Sequence, residues 1–164
     1  MKMHCLSISS AFFYSCSFFL NLCKVTKTFP TFASESKEIV MNTHRCLICL
    51  GSNDGYTARM KAACTALRQW FPDIRFAPER TTQAIDDRFL SPFANRVAEF
   101  YSPLPVEEIR HVLKQIEKDN GRAPEDKERG IVKMDIDLLM YDETILKPND
   151  MMRDYVQESI QELH

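Results

Sequence analysis

The stretch Lys133-Met134-Asp135-Ile136-Asp137-Leu138-Leu139-Met140-Tyr141 decides how the rest of the chain is read. Met134, Ile136 and Leu138 alternate with Lys133, Asp135 and Asp137, which is the period of a β-strand with one buried face. Alternation sends both carboxylates to one face, with Cα atoms roughly 6.6 Å apart at a rise of about 3.3 Å per residue. Aspartate is depleted in strands, and two like charges this close repel. A solvated strand face is the plain reading of a bare Asp-x-Asp. The chemical reading is a divalent cation, because Mg²⁺ takes one or two carboxylates and completes its shell with phosphate oxygens and water.

On the C-terminal side the sequence predicts a turn at Asp142-Glu143 and a short strand from Thr144 to Leu146. Pro148 breaks the chain, and Met152, Tyr155, Val156, Ser159, Ile160 and Leu163 mark a final amphipathic helix. On the N-terminal side lies a charged, proline-containing loop, Arg122 to Gly130, preceded by the helix stop Gly121. Pro103 and Pro105 introduce that helix, Glu107 and Glu108 favour its positive end, and Ile109, Val112, Leu113 and Ile116 form its buried stripe. Phe93 to Ser102 is a strand, and Thr81 to Pro92 is a loop without periodicity. Asp73 to Arg80 is an edge strand, separated by Pro72 from a helix that starts at Thr57. Met60, Ala63, Cys64, Leu67 and Trp70 form the stripe of that helix. Gly51-Ser52-Asn53-Asp54-Gly55 is a turn, and Arg45 to Leu50 is the first strand.

The order strand, helix, strand, strand, helix, strand is the ferredoxin-like βαββαβ arrangement of the α+β class: an antiparallel sheet with helices on one face, here with a C-terminal helix added. Such a fold says nothing by itself about function.

The chain has 164 residues and is 45% hydrophobic, which predicts one globular domain. A formal net charge of -2 gives no general case for nucleic acid or for an anionic membrane. The first forty residues carry +2, from Lys2, Lys24, Lys27 and Lys37 against Glu35 and Glu38, which leaves -4 for the remainder. Cys5 to Cys23 is uncharged and rich in Phe, Ser and Cys. With Lys2 before it and Thr31-Phe32-Ala33 after it, the segment has a secretory-signal pattern, though it is too interrupted for a good membrane span. The preferred reading is that translation begins at Met41. Residues 1–40 are then a leader without a folded role, poorly ordered, and residues 41–164 are the domain.

Cys46-x-x-Cys49 looks like a redox or zinc pair. It lies in an apolar run, however, where alternation points the two sulfurs to opposite faces, and no second Cys/His pair at zinc spacing follows. The two are read as small core residues.

Five pieces in register resemble the hydroxymethyl-dihydropterin pyrophosphokinase family of folate biosynthesis. Leu47-Ile48-Cys49-Leu50-Gly51-Ser52-Asn53 resembles its first strand and Gly-Ser-Asn turn. Arg80-Thr81 is similar to the Arg-Thr leading into the pterin loop, and Phe93-Ala94-Asn95 to its aromatic-x-Asn element. Glu117-x-x-x-Gly121-Arg122 resembles the end of the second helix, and Met134 to Leu139 the metal-binding strand. The resemblance implies transfer of diphosphate from ATP to the hydroxymethyl group of a reduced pterin, with release of AMP. It implies that Asp135 and Asp137 hold two Mg²⁺ ions. Asn95 and Phe93 would bind the pterin, with Thr81, Thr82 and Ala84 completing that pocket. Glu117, Arg122, Arg129 and Lys133 would face the nucleotide. A cytoplasmic monomer or homodimer acting on small molecules, without nucleic acid or membrane, is the corresponding expectation.

The sequence also departs from the family. A tryptophan and an arginine usual in the loop before the aspartates fall on Arg129 and Val132, and a further arginine falls on Pro124. Lys127, Arg129 and Lys133 restore positive charge there. After Pro148 no Pro-His segment and no matching closing aromatic is found. Two classes of function follow: a divergent pyrophosphokinase, or an inactive ferredoxin-like module that binds nucleotide or pterin or serves interaction.

Overall fold

A computed structural model describes residues 42–84, 89 and 91–164. The chain divides into Met1–Ile39 and Val40–His164, and the described fold belongs to the second unit. The expected leader and the Met41 start lie outside the described residues, as do residues 85–88 and 90 of the expected loop.

Strand β1, His44–Ser52, is the middle of the sheet. Its alternation places Cys46, Ile48 and Leu50 in one core and Leu47 in another. The expectation that Cys46 and Cys49 part to opposite faces holds, since Cys49 packs beside the second cluster. Gly55 takes a left-handed turn at φ 56° and starts helix α1, Tyr56–Trp70. Met60, Ala63, Cys64 and Leu67 are buried as expected. Trp70 is not: it is 56% exposed, and Phe71 is buried instead, stacked on Phe100 at 3.9 Å. The chain leaves helical geometry at Phe71, with φ -130°, so that ring swings inward where Trp70 would have continued the stripe.

The expected strand Asp73 to Arg80 is two short strands, β2 (Arg75–Phe76) and β3 (Arg80–Thr82). Both pair with β4, Phe93–Ser102. Pro78 lies between them and has no N–H to give to the ladder. Helix α2, Val106–Asp119, follows Pro105 and buries Ile109, Val112, Leu113, Ile116 and also Glu117. Gly121, at φ 85°, ends it. The segment expected as a charged loop contains a one-turn helix, α3, Pro124–Glu128.

Strand β5, Asp135–Tyr141, lies beside β1 on the side away from β4. Leu47 pairs with Met140 and Ile48 with Leu138, so Leu139 is an extra residue on β5. This bulge is why Leu138, Leu139 and Met140 are all buried in a row. The two-residue β6, Thr144–Ile145, completes the order β2-β4-β1-β5-β6, with β3 also on β4. Pro148 begins rather than breaks a helix: α4 is Pro148–Met151, and α5 is Asp154–Leu163. Met152 falls between them and is exposed.

The α1 and α2 stripes cover one face of the antiparallel sheet. Helix α5 covers part of the other, setting Val156 and Leu163 against Leu47, Val97, Leu139 and Met140. The ferredoxin-like α+β fold with a C-terminal helix is thus as expected, with that last helix on the second face. Among the described residues no helix is long and apolar enough to cross a membrane.

Candidate functional site

Where α5 does not reach, the second face of the sheet is hollow. The register sets Gly51 of β1 opposite Asn95 of β4 on one side and Asp135 of β5 on the other. Three positions therefore stand in one row, and the middle one carries no side chain. A Cβ at Gly51 would lie 3.3 Å from Asn95 Oδ1. One level along, Cys49 lies opposite Asp137.

The hollow is a cavity of about 330 Å³ lined by Gly51, Asn95, Asp135 and Asp137. Thr82, Ala84, Phe89 and Phe93 form another part of the wall. Both aspartates project into this space, as the strand alternation predicts. Asn95 is nearly buried, and its Nδ2 donates to Thr82 Oγ1 at 2.7 Å, which fixes the amide while Oδ1 stays on the Gly51 side. Phe89 and Phe93 meet edge to face at 5.3 Å. Asp150 of α4, Arg153 at the cap of α5 and Tyr155 of α5 complete the lining. Arg153 Nη2 meets Asp150 Oδ1 at 2.8 Å, and the Tyr155 hydroxyl lies 3.8 Å from Cys49 Sγ. Burial pushes the Cys49 thiol up to about 12, which favours the protonated thiol near neutral pH.

A second cavity, of about 600 Å³, opens between the end of α2 and the segment leading into β5. Lys114, Lys118, Arg122 and Lys133 line it, against Glu117, Asp126 and Asp135. The two cavities share Phe89, Val132 and Asp135, so Asp135 stands at their junction.

Glu117 is 1% exposed and organises that junction. It accepts from the Ile136 backbone N–H at 2.7 Å and from Lys114 Nζ at 2.7 Å, and its Oε2 holds Arg122 at 2.7 Å. Arg122 in turn meets Asp135. Burial raises the Glu117 carboxyl above its ordinary range; the Lys114 and Ile136 hydrogen bonds oppose that shift, and the nearby Asp135 charge adds to it. Asp137 meets Lys147 Nζ at 3.1 Å, and this hydrogen bond holds the lysine above its ordinary pKa.

The Gly-Ser-Asn turn acts through structure. Ser52 Oγ donates to the Lys133 carbonyl at 2.7 Å. Asn53 Nδ2 donates to the Gly130 carbonyl, and Asn53 Oδ1 accepts from the Val132 N–H at 2.7 Å. The turn thereby pins the segment that carries Val132 and Lys133 to the two cavities.

Asn95, Phe93, Thr82, Ala84, Asp135 and Asp137 come together at the first cavity, and Glu117, Arg122 and Lys133 at the second. Thr81 and Arg129 line neither. Thr81 pairs with Ala94 in the ladder while its side chain is exposed, because β3 alternation turns it away from Thr82. Arg129 is exposed, and its N–H donates to the Asp126 carbonyl. Lys133 Nζ pairs with Asp126 at 2.8 Å. Sequence reading missed Arg153, Tyr155, Lys147, Lys114 and Lys118. Tyr155 puts an aromatic on the cavity wall after Pro148, where no match was expected.

The donor set fits a hard divalent cation: two carboxylates on one strand face, in a cavity that adjoins a basic one. Among the described residues no cluster of three or more potential ligands occurs, so oxygen atoms of a bound substrate and water would complete the shell.

A search of curated proteins gave no match. The family model for 7,8-dihydro-6-hydroxymethylpterin-pyrophosphokinase (HPPK) matches residues 47–164, the span that builds both cavities, and the chain belongs to that family of folate-biosynthesis pyrophosphokinases.

Proposed function

We propose that the protein transfers the β,γ-diphosphate of ATP to the hydroxymethyl oxygen of 6-hydroxymethyl-7,8-dihydropterin, with Mg²⁺, and releases AMP. The observation that carries this reading is the placement of Asp135 where two unlike cavities meet. One is aromatic-walled with a fixed amide; the other is lined with cations. An acceptor ring fits the first and a triphosphate the second, so the reacting oxygen and phosphorus would meet beside the acidic pair.

Asn95 offers a donor and an acceptor to the edge of the pterin ring, and Gly51 leaves room for the ring beside it. Phe93 and Tyr155 supply apolar surface for the ring. Arg122, Lys114, Lys118 and Lys133 neutralise phosphate charge, with Arg122 held in place by Glu117. Asp135 and Asp137 would hold the two Mg²⁺ ions, whose charge would offset that of the phosphates and make the attacked phosphorus more electrophilic. Transfer of this kind needs positioning and charge neutralisation more than covalent participation of the protein.

A coupled assay for AMP with ATP, Mg²⁺ and the pterin tests the proposal. AMP formation that depends on both the pterin and Mg²⁺ is expected. Folded protein that forms none, yet binds the Mg²⁺-ATP complex by calorimetry, would mark a binding module instead.

A further inference from the structure

Asp135 and Asp137 are alike in sequence, yet the fold gives them different counter-cations. Arg122, on Asp135, is also held by the buried Glu117 at 2.7 Å. Two carboxylates and a planar guanidinium make that pairing rigid. Lys147 Nζ, on Asp137, has that carboxylate alone within ion-pair distance among the described residues. Its backbone is anchored, since the carbonyl of the bulged Leu139 accepts from the N–H groups of Leu146 and Lys147. Its side chain is half exposed and carries the ammonium on a flexible four-carbon stem.

We propose that Lys147 is an exchangeable counter-cation, which covers Asp137 until a metal-polyphosphate complex arrives and then passes to the phosphate oxygens. The proposal rests on the reading of the second cavity as a triphosphate site. An ammonium 3.1 Å from Asp137 Oδ1 repels a divalent cation that approaches the same carboxylate, so metal binding there favours its departure. With metal alone, Lys147 loses its partner and gains only water. With a polyphosphate present, it exchanges one anionic partner for another. Metal and nucleotide binding therefore reinforce each other through Lys147, and free metal binds weakly. Arg122 differs in that it stays tethered to Glu117 whatever binds Asp135. Lys147 is thus a positioning residue that couples the two ligands.

The test uses the full chain, with Lys147→Met and Lys147→Arg beside the unchanged protein and thermal melts to show that each is folded. Electron paramagnetic resonance follows Mn²⁺ binding without nucleotide, and calorimetry follows the Mg²⁺ complex of a non-hydrolysable ATP analogue. Lys147→Met should bind Mn²⁺ alone about two- to fivefold more tightly and the nucleotide complex more weakly by a similar factor. Lys147→Arg should stay close to the unchanged protein in both. A purely structural lysine would not move the two affinities in opposite directions. Mn²⁺ affinity that is unchanged or weaker in Lys147→Met, with normal nucleotide binding in the unchanged protein, overturns the exchange alone. An unchanged protein that binds no nucleotide overturns the triphosphate site and the exchange together.

Discussion

Gly51 acts by having no side chain. It sits between Asn95 and Asp135 in the register, and the space it leaves is the floor of the first cavity. Gly51→Ala should push Asn95 Oδ1 out of line, because the added carbon would lie 3.3 Å from it. Calorimetry with the pterin should show affinity reduced about three- to tenfold while the melting temperature changes little. Asp137→Ala should lose metal-dependent nucleotide affinity by about tenfold or more and still fold, since its one cation partner among the described residues is the half-exposed Lys147. Equal affinity of this variant and the unchanged protein, measured with saturating Mg²⁺, would count against a metal role for the acidic pair. The pair was legible in the sequence because strand alternation alone fixes which face each residue takes. Lys147 and Tyr155 were not: the first is placed by backbone hydrogen bonds to the bulged Leu139 and the second by how α5 docks, and no local period encodes either.

Among the elements, β4 bears the most. It pairs with β1, β2 and β3, and its Glu99 is 1% exposed near the far end of the sheet. Burial pushes that carboxyl up, but Arg45 and Arg75 outweigh it and hold it below its ordinary range. Arg75 also donates to the Leu163 carbonyl at 2.8 Å, so one carboxylate ties β1, β2 and the end of α5 to β4. Glu99→Gln should cost about 1–3 kcal/mol near neutral pH. A lowered native pKa gives stability that is present above the unfolded carboxylate value of about 4.3 and is lost as pH falls through the native value. Urea melts at neutral pH and at about pH 3 should therefore show the gap between Glu99→Gln and the unchanged protein narrowing in acid. The elements themselves were mostly legible, through the α1 and α2 stripes and the alternation of β1, β4 and β5. The division of β2 from β3 was missed even though Pro78 marks it, because each piece is too short to show a period. Burial of Phe71 in place of Trp70 follows from a turn in the backbone that helical spacing cannot anticipate.

At the scale of the whole molecule, the sheet divides its labour between its faces. One is filled by α1 and α2; the other is partly covered by α5 and partly open at the first cavity. Among the described residues, both core clusters draw on the span from Cys46 to Leu163. A chain that starts at Met41 should accordingly melt within a few degrees of the full chain by calorimetry, and a large drop would show that the first forty residues contribute to the fold. The sequence carried the ferredoxin-like order because the long strands and helices each have their own period. The junction of two cavities at Asp135 was beyond it, because that space is enclosed by residues distant in the chain. Mass spectrometry of the pterin after incubation with ATP, Mg²⁺ and the protein is the most direct measurement. A pterin heavier by a diphosphate, with AMP in equal amount, is the expected result. A pterin heavier by a single phosphate, or unaltered in the presence of folded, nucleotide-bound protein, would contradict it.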